Sequence, residues 1–216
     1  MVSLEQDTHE PFGVVGLGNY GSPYAGTRHN IGFEIIDALA ERLHFRDSSF
    51  FTNYYFTSGM HGDKQLFLCK PWTYMNLSGD AVSLLMHTHA FGIQNLLVIC
   101  DDTNLPPGRL RFRARGSSGG HNGLQSVIDA IGNGFPRLRC GIGLPPAEIG
   151  HADFVLSDFF ADEWDMKNEM IHTAVDSILF YLDEGISKSM TLYNAPIANG
   201  ADPENDNPVT DIDNQQ

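Results

Sequence analysis

Residues 12–17 read Phe-Gly-Val-Val-Gly-Leu, a short apolar run punctuated by glycine that predicts a buried β-strand. A polar, turn-rich stretch follows, and then Ile31, Ile35, Leu39 and Leu43 recur every fourth residue with Ile36 and Ala40 beside them. That spacing predicts an amphipathic helix over 31–43, with Asn30 placed to cap it. Strand, loop and helix in this order set the class, and the rest of the chain repeats the alternation. Apolar runs at 54–58 and 65–70, separated by a turn containing Gly62-Asp63, predict a hairpin. Next come a helix over 78–90, a strand over 95–100 ending at Asp101-Asp102, and a Leu105-Pro106-Pro107-Gly108 turn. A strand over 109–115, a glycine loop over 116–123, a short helix and a strand over 137–143 follow. A long helix over 161–184 is expected to stop at Gly185, with Trp164, Ile171, Val175, Ile178 and Leu182 on one side. The expected fold is α/β, a single domain with a mixed, largely parallel twisted sheet flanked by helices.

The 216 residues, 42% of them hydrophobic, can bury one substantial core and at most a second small lobe. The domain is expected over 12–194, between a flexible N-terminal extension over 1–11 and an acidic tail over 195–216. That tail holds Asp202, Glu204, Asp206, Asp211 and Asp213 with no Lys or Arg, the composition of disorder. No apolar run approaches the roughly 18 to 20 residues that a membrane span needs, which excludes an integral helical membrane protein. Met1 to Glu10 lacks a basic and an apolar export region, so a cytoplasmic location is expected. Cys69, Cys100 and Cys140 are odd in number and far apart, the pattern of reduced core thiols rather than of a disulfide frame.

Thirteen basic residues against 27 acidic ones give a net charge of -14, yet the charge is uneven. Between Leu105 and Ala147, Arg109, Arg111, Arg113, Arg115, Arg137 and Arg139 face a single acid, Asp129. Over 109–115 the arginines alternate with Leu110, Phe112 and Ala114, so at period two all four would leave one face of a strand as a basic comb. Such a local stripe suits a phosphate backbone, because distant charge is screened within about 8 Å at physiological salt.

Gly16-Leu17-Gly18-Asn19-Tyr20-Gly21 matches the dinucleotide fingerprint G-x-G-x-x-G, but its context does not. The helix there should begin inside the loop and meet a pyrophosphate, whereas Ser22-Pro23 continues the turn and the helix begins near Ile31. Chemistry is better sought in polar residues beyond the strand ends. His29 precedes a helix in the loop after the first strand, and Asp101 ends a later strand, so both can reach one rim. A carboxylate that accepts from one imidazole nitrogen leaves the other as a general base; equally, His29 could be a cap or surface residue. Asn19, Asn76 and Asn122 stand in glycine- or turn-rich settings, where an amide either shapes a turn or holds a carbonyl or oxyanion. No serine has nucleophile-elbow spacing, and His87-x-His89 on a helix does not converge, so no metal and no cofactor are expected.

Gly-Leu-Gly-Asn-x-Gly at 16–21, Thr-Arg-His-Asn-x-Gly at 27–32, Met-Asn-Leu-Ser-Gly at 75–79, Leu-Pro-Pro-Gly at 105–108 and Gly-Gly-His-Asn-Gly-Leu at 119–124 stand in one order. Together they resemble the bacterial-type peptidyl-tRNA hydrolases, from about Phe12 to Asn194. The resemblance implies a monomeric, metal-free esterase, with no obligate protein partner, that cleaves peptide from the 3′-terminal ribose of peptidyl-tRNA. It implies His29 as the general base, Asp101 as the residue holding it in basic form, and Asn19 as the position separating peptidyl from free aminoacyl esters. It places Tyr24, Tyr74, Asn76 and Asn122 at the substrate end, and Arg111, Arg113 and Arg139 where tRNA phosphate is clamped. Tyr20 stands where the family usually has proline, Cys100 where it usually has histidine, and Asp101-Asp102-Thr103-Asn104 replaces Asp-Glu-Leu-Asp. Relatives of this fold also serve as RNA-splicing cofactors without hydrolysis, which makes a non-catalytic RNA-binding module the alternative.

Overall fold

The computed structural model describes residues 11–195; the expected extension over 1–11 and tail over 195–216 lie outside the described residues but for Pro11 and Ala195. Seven strands form one sheet: β1 Phe12–Gly16, β2 Ser48–Phe51, β3 Tyr54–His61, β4 Lys64–Pro71, β5 Leu96–Asp102, β6 Leu110–Arg113 and β7 Arg137–Gly141. Their order is β2-β3-β4-β1-β5-β7-β6, parallel through β4-β1-β5-β7 and antiparallel toward both edges. The helices are α1 Ile31–Arg42, α2 Ser78–Thr88, α3 Asn122–Ile131, α4 His151–Val155 and α5 Trp164–Tyr193. The mixed, largely parallel α/β sheet is therefore the one the sequence predicts.

β5 is buried along its whole length because helices cover both faces of the sheet. Leu97 and Ile99 pack into the core that α1 and α5 close, while Leu96, Val98 and Cys100 pack into the core under α2 and α3. The strand order reverses at β1, whose neighbours are β4 on one side and β5 on the other. Crevices beyond the carboxyl ends of strands at such a reversal are where open α/β sheets bind ligands. The glycines after β1 serve close packing there. A Cβ on Gly16 would lie 2.1 Å from the carbonyl oxygen of Gly32, and one on Gly32 would lie 2.5 Å from that of Leu17. They set the start of α1 directly against β1, which accounts for the fingerprint-like spacing without a nucleotide.

Several local expectations change. β2 and α4 are not expected from the sequence: β2 is four exposed residues paired only with β3, and α4 is a single short turn of helix. The last helix does not end at Gly185; that residue takes φ 80 and ψ 174, and helix resumes to Tyr193. Trp164 is exposed rather than buried, its indole N–H donating to the Phe159 carbonyl at 3.2 Å. Asn30 does not cap α1, because its amide is used elsewhere. The four-arginine comb shrinks to Arg111 and Arg113 on β6, since Arg115 lies beyond the strand. Arg109 turns instead to the carbonyls of Asn194 and Ala195 after α5.

Candidate active site

Four loops converge on a cavity of about 470 Å³ beyond the carboxyl ends of β1 and β5. Asn19, Tyr24, His29, Tyr74, Asn76, Asp101, Asn122 and Arg139 all line it, so of the site residues that the resemblance implies, Arg111 and Arg113 alone lie outside its walls.

The loop after β1 is held by reciprocal amide bonds. The Asn19 backbone N–H donates to Asn30 Oδ1 at 2.8 Å, and Asn30 Nδ2 donates back to the Asn19 carbonyl at 3.0 Å. Asn19 Oδ1 in turn accepts the Met75 backbone N–H at 2.8 Å, which ties this loop to the turn carrying Tyr74 and Asn76. With its oxygen engaged, the Asn19 side chain has an NH₂ group, a pure donor, to offer a ligand. Next to His29, Arg28 is fully buried, pairs with Glu163 and lies under the rings of Phe154, Phe159 and Phe160. It fixes the His29 loop to the start of α5. On the far wall Gly79 approaches α3 so closely that a Cβ would lie 2.1 Å from the Ser126 carbonyl oxygen, which sets the turn bearing Asn76 beside the start of α3 bearing Asn122.

At the floor, Asp101 Oδ1 lies 2.7 Å from His29 Nδ1 and 3.0 Å from His121 Nε2. His121 Nδ1 accepts the Leu124 backbone N–H at 3.1 Å at the start of α3, so its proton sits on Nε2 and is donated to Asp101. His29 likewise donates from Nδ1 to the ionised Asp101, which leaves the Nε2 lone pair available to accept a proton. Burial alone would raise the Asp101 carboxyl, but the facing imidazoles of His121 and His29 outweigh it and hold the group well below the usual carboxylate range. The carboxylate therefore stays ionised although it is buried. Sequence reasoning does not single out His121: it stands in the Gly-Gly-His-Asn motif, yet only folding brings it to an aspartate twenty residues earlier.

The same triangle is the one group among the described residues whose ligand atoms lie close enough, within 4.8 Å, to hold a cation. A metal there would compete with the two imidazole N–H groups that Asp101 accepts from. His89, by contrast, hydrogen-bonds the Tyr54 hydroxyl at 3.2 Å and packs on Phe67. Burial pushes the Cys100 thiol up to about 12, far from the range of a nucleophile.

Asp102 is a second residue that sequence reasoning passes over. Its Oδ2 accepts Arg139 Nη1 at 2.8 Å, its Oδ1 accepts the Asn104 backbone N–H at 2.9 Å, and Arg139 Nη2 reaches the Ser117 carbonyl at 2.8 Å. This network anchors the cleft wall where the sequence departs from the usual acidic motif. Arg137 is fully buried and donates to the carbonyls of Gly116, Asn133 and Phe135, holding the glycine loop. Arg111 lies directly opposite Arg139 across β6 and β7, and Arg113 is exposed at the same edge.

The family model for peptidyl-tRNA hydrolase matches residues 13–201. The chain is 44% identical over 187 residues to the peptidyl-tRNA hydrolase of Chlorobium phaeovibrioides, covering 86% of this chain and 98% of that one. It is 40% identical to the peptidyl-tRNA hydrolase of Fervidobacterium nodosum, covering 84% of this chain and 95% of that one. Among solved structures, peptidyl-tRNA hydrolase from Acinetobacter baumannii superposes with a TM-score of 0.78 at 30% identity, over 87% of this chain and 97% of the other. Matched over most of its length by the family model and by relatives of this identity, the chain belongs to the peptidyl-tRNA hydrolase family.

Proposed function

We propose that the cleft hydrolyses the ester between a peptide, or an N-blocked amino acid, and the 3′-terminal ribose of tRNA, with His29 as general base. The observation that carries this reading is the buried Asp101 carboxylate that accepts from both imidazoles and fixes the His29 proton on Nδ1. His29 Nε2 takes a proton from water as the oxygen attacks the ester carbonyl. Negative charge then collects on the former carbonyl oxygen, where the uncharged amides of Asn76 and Asn122 supply donors. Collapse breaks the bond to the ribose 3′-oxygen, which takes the proton from the imidazolium. Asp101 stabilises that imidazolium while it exists.

Asn19 serves selectivity. Its NH₂ can donate to the acyl carbonyl of a blocked amino group, whereas a free ammonium offers that donor nothing to receive. Tyr24 and Tyr74 stack on or flank the substrate end. Arg111, Arg113 and Arg139 hold phosphate without reading sequence, as an enzyme serving every tRNA requires. No helix among the described residues is long and apolar enough to cross a membrane. We place the enzyme in the cytoplasm, the reducing compartment that its unpaired, buried thiols favour, and read it as a monomer with no obligate protein partner.

The test is release of labelled acetylated amino acid from tRNA, with the unacetylated aminoacyl-tRNA as control. Wild type should cleave the blocked ester selectively, and His29→Ala should lose about 10² to 10⁴ in rate. Tight tRNA binding with no cleavage of either ester would instead assign the chain to the RNA-binding module.

A further inference from the structure

Five aromatic side chains form an unbroken run that leaves the cleft on the side away from the arginines. Tyr74 lines the cavity, and its ring centre lies 4.9 Å from that of Tyr20. From Tyr20 the steps are 5.2 Å to Trp72, 4.7 Å on to Tyr55 and 4.8 Å on to Phe50. Phe50, Trp72 and Tyr74 are 40–50% exposed, so the run is an open surface rather than core. Trp72 and Tyr55 also wall a second cavity of about 410 Å³ between α1 and the sheet, together with Phe33, Ile36, Phe45 and Leu68. The hydrolytic chemistry uses none of these groups beyond Tyr74.

The surroundings favour a peptide as occupant over RNA. A single-stranded nucleic acid track combines stacking rings with cations that follow the backbone. Here the second cavity brings only Lys70, which is bound to Asp37, and Arg46. The arginines Arg111 and Arg113 lie on β6, at the opposite edge of the sheet from β2, β3 and β4, and the His29 floor lies between. If phosphate is held at one edge, the other arm of the same substrate must leave toward the rings.

We infer that this run is the path of the peptide moiety, and that the cavity under α1 takes a large apolar side chain of it. This rests on the hydrolase reading above. An extended chain advances about 3.3 Å per residue, so each ring step spans about one and a half residues. The cavity walls, two and three ring steps from Tyr74, are then reached about three to five residues along the peptide, beyond the reach of a single blocked amino acid.

The experiment compares kcat/KM on N-acetyl-aminoacyl-tRNA with that on tRNA carrying a hexapeptide rich in Leu and Phe, or in Gly and Ser. Wild type should favour the apolar hexapeptide, and Trp72→Ala and Tyr55→Ala should each lose about tenfold on it through KM, with the acetylated amino acid unaffected. Equal losses on all three substrates would overturn the inference and assign the rings to the RNA end, and a wild type indifferent to peptide composition would overturn it outright. A second readout is independent of turnover. In a Trp164→Phe background Trp72 is the one remaining tryptophan, and its fluorescence should shift on adding the free apolar hexapeptide but not the Gly-Ser one. If no ester is cleaved yet the shift occurs, the hydrolase reading fails and the peptide track stands. Ester cleavage without the shift would overturn the peptide track and leave the hydrolase reading in place.

Discussion

The two edges of one sheet flank the same cleft and present opposite chemistry. At the β6–β7 edge, Arg111, Arg113 and Arg139 gather closely enough that the Arg113 guanidinium is held below its usual range, first by partial burial and then by its two neighbours. At the β2–β4 edge, aromatic rings touch in sequence and the nearby lysine is already paired. The floor between them resembles neither, being one buried carboxylate shared by two imidazoles. On the proposed reading, binding and bond cleavage use separate parts: an anionic arm and an apolar arm would each be received by an edge suited to them, and a common floor would act on the neutral bond that joins them.

That division can be broken most severely at the floor. Asp101→Asn keeps the shape but replaces a pure acceptor with an amide that also donates, so His29 is no longer held with its proton on Nδ1. The rate should fall by about 10² to 10⁴ on full tRNA substrates and minimal esters alike, as single-turnover kinetics would read. A loss confined to one of the two would mean that the floor is not common to both arms. At the boundary between floor and peptide arm, Asn19→Asp keeps the oxygen that accepts from Met75 while exchanging the donor for a carboxylate. Discrimination between acetylated and free aminoacyl-tRNA should drop by about 10- to 100-fold, because the acyl carbonyl then faces a carboxylate that cannot donate while a free ammonium gains a partner. Discrimination left intact would remove Asn19 from that role.

The smallest effect concerns pH. Because the Asp101 carboxyl is held below its unfolded value of about 4, its contribution to stability is complete above roughly pH 5 and is lost as the pH falls through the folded value. Denaturant midpoints of wild type and Asp101→Asn should therefore draw together as the pH falls from 5 into acid. Midpoints that stay as far apart at pH 3 as at pH 5 would mean that the carboxyl is not held below its unfolded value.

The order of strands and helices is legible in the sequence because both periodicities are strong and each long element closes a core face. His29 and Asp101 are legible as a possible pair because each follows directly from a readable strand or helix end. The partnership of Asp101 with His121 is not, since it depends on where α3 starts relative to β5 in space. Asn30 shows the same limit: a residue suited to capping α1 instead binds the Asn19 loop, which no local rule weighs. The arginine stripe promises more than the fold delivers for a different reason. Period two tells which face a side chain leaves, but not what that face meets. Arg109 meets the end of α5, and Arg137, from the same basic segment, meets carbonyls of the glycine loop. β2 leaves no pattern because its four exposed residues bury too little.

If one edge holds RNA while the floor cleaves independently, the two can be separated by mutation. The decisive variant is Arg111→Ala with Arg113→Ala, measured on peptidyl-tRNA over a range of salt and on a minimal acetyl-aminoacyl adenosine ester. Binding of the tRNA substrate should weaken, its salt slope should become shallower by about 1 to 2, and the rate on the minimal ester should stay unchanged. Equal losses on both substrates, with the salt slope unaltered, would contradict the separation of edge and floor.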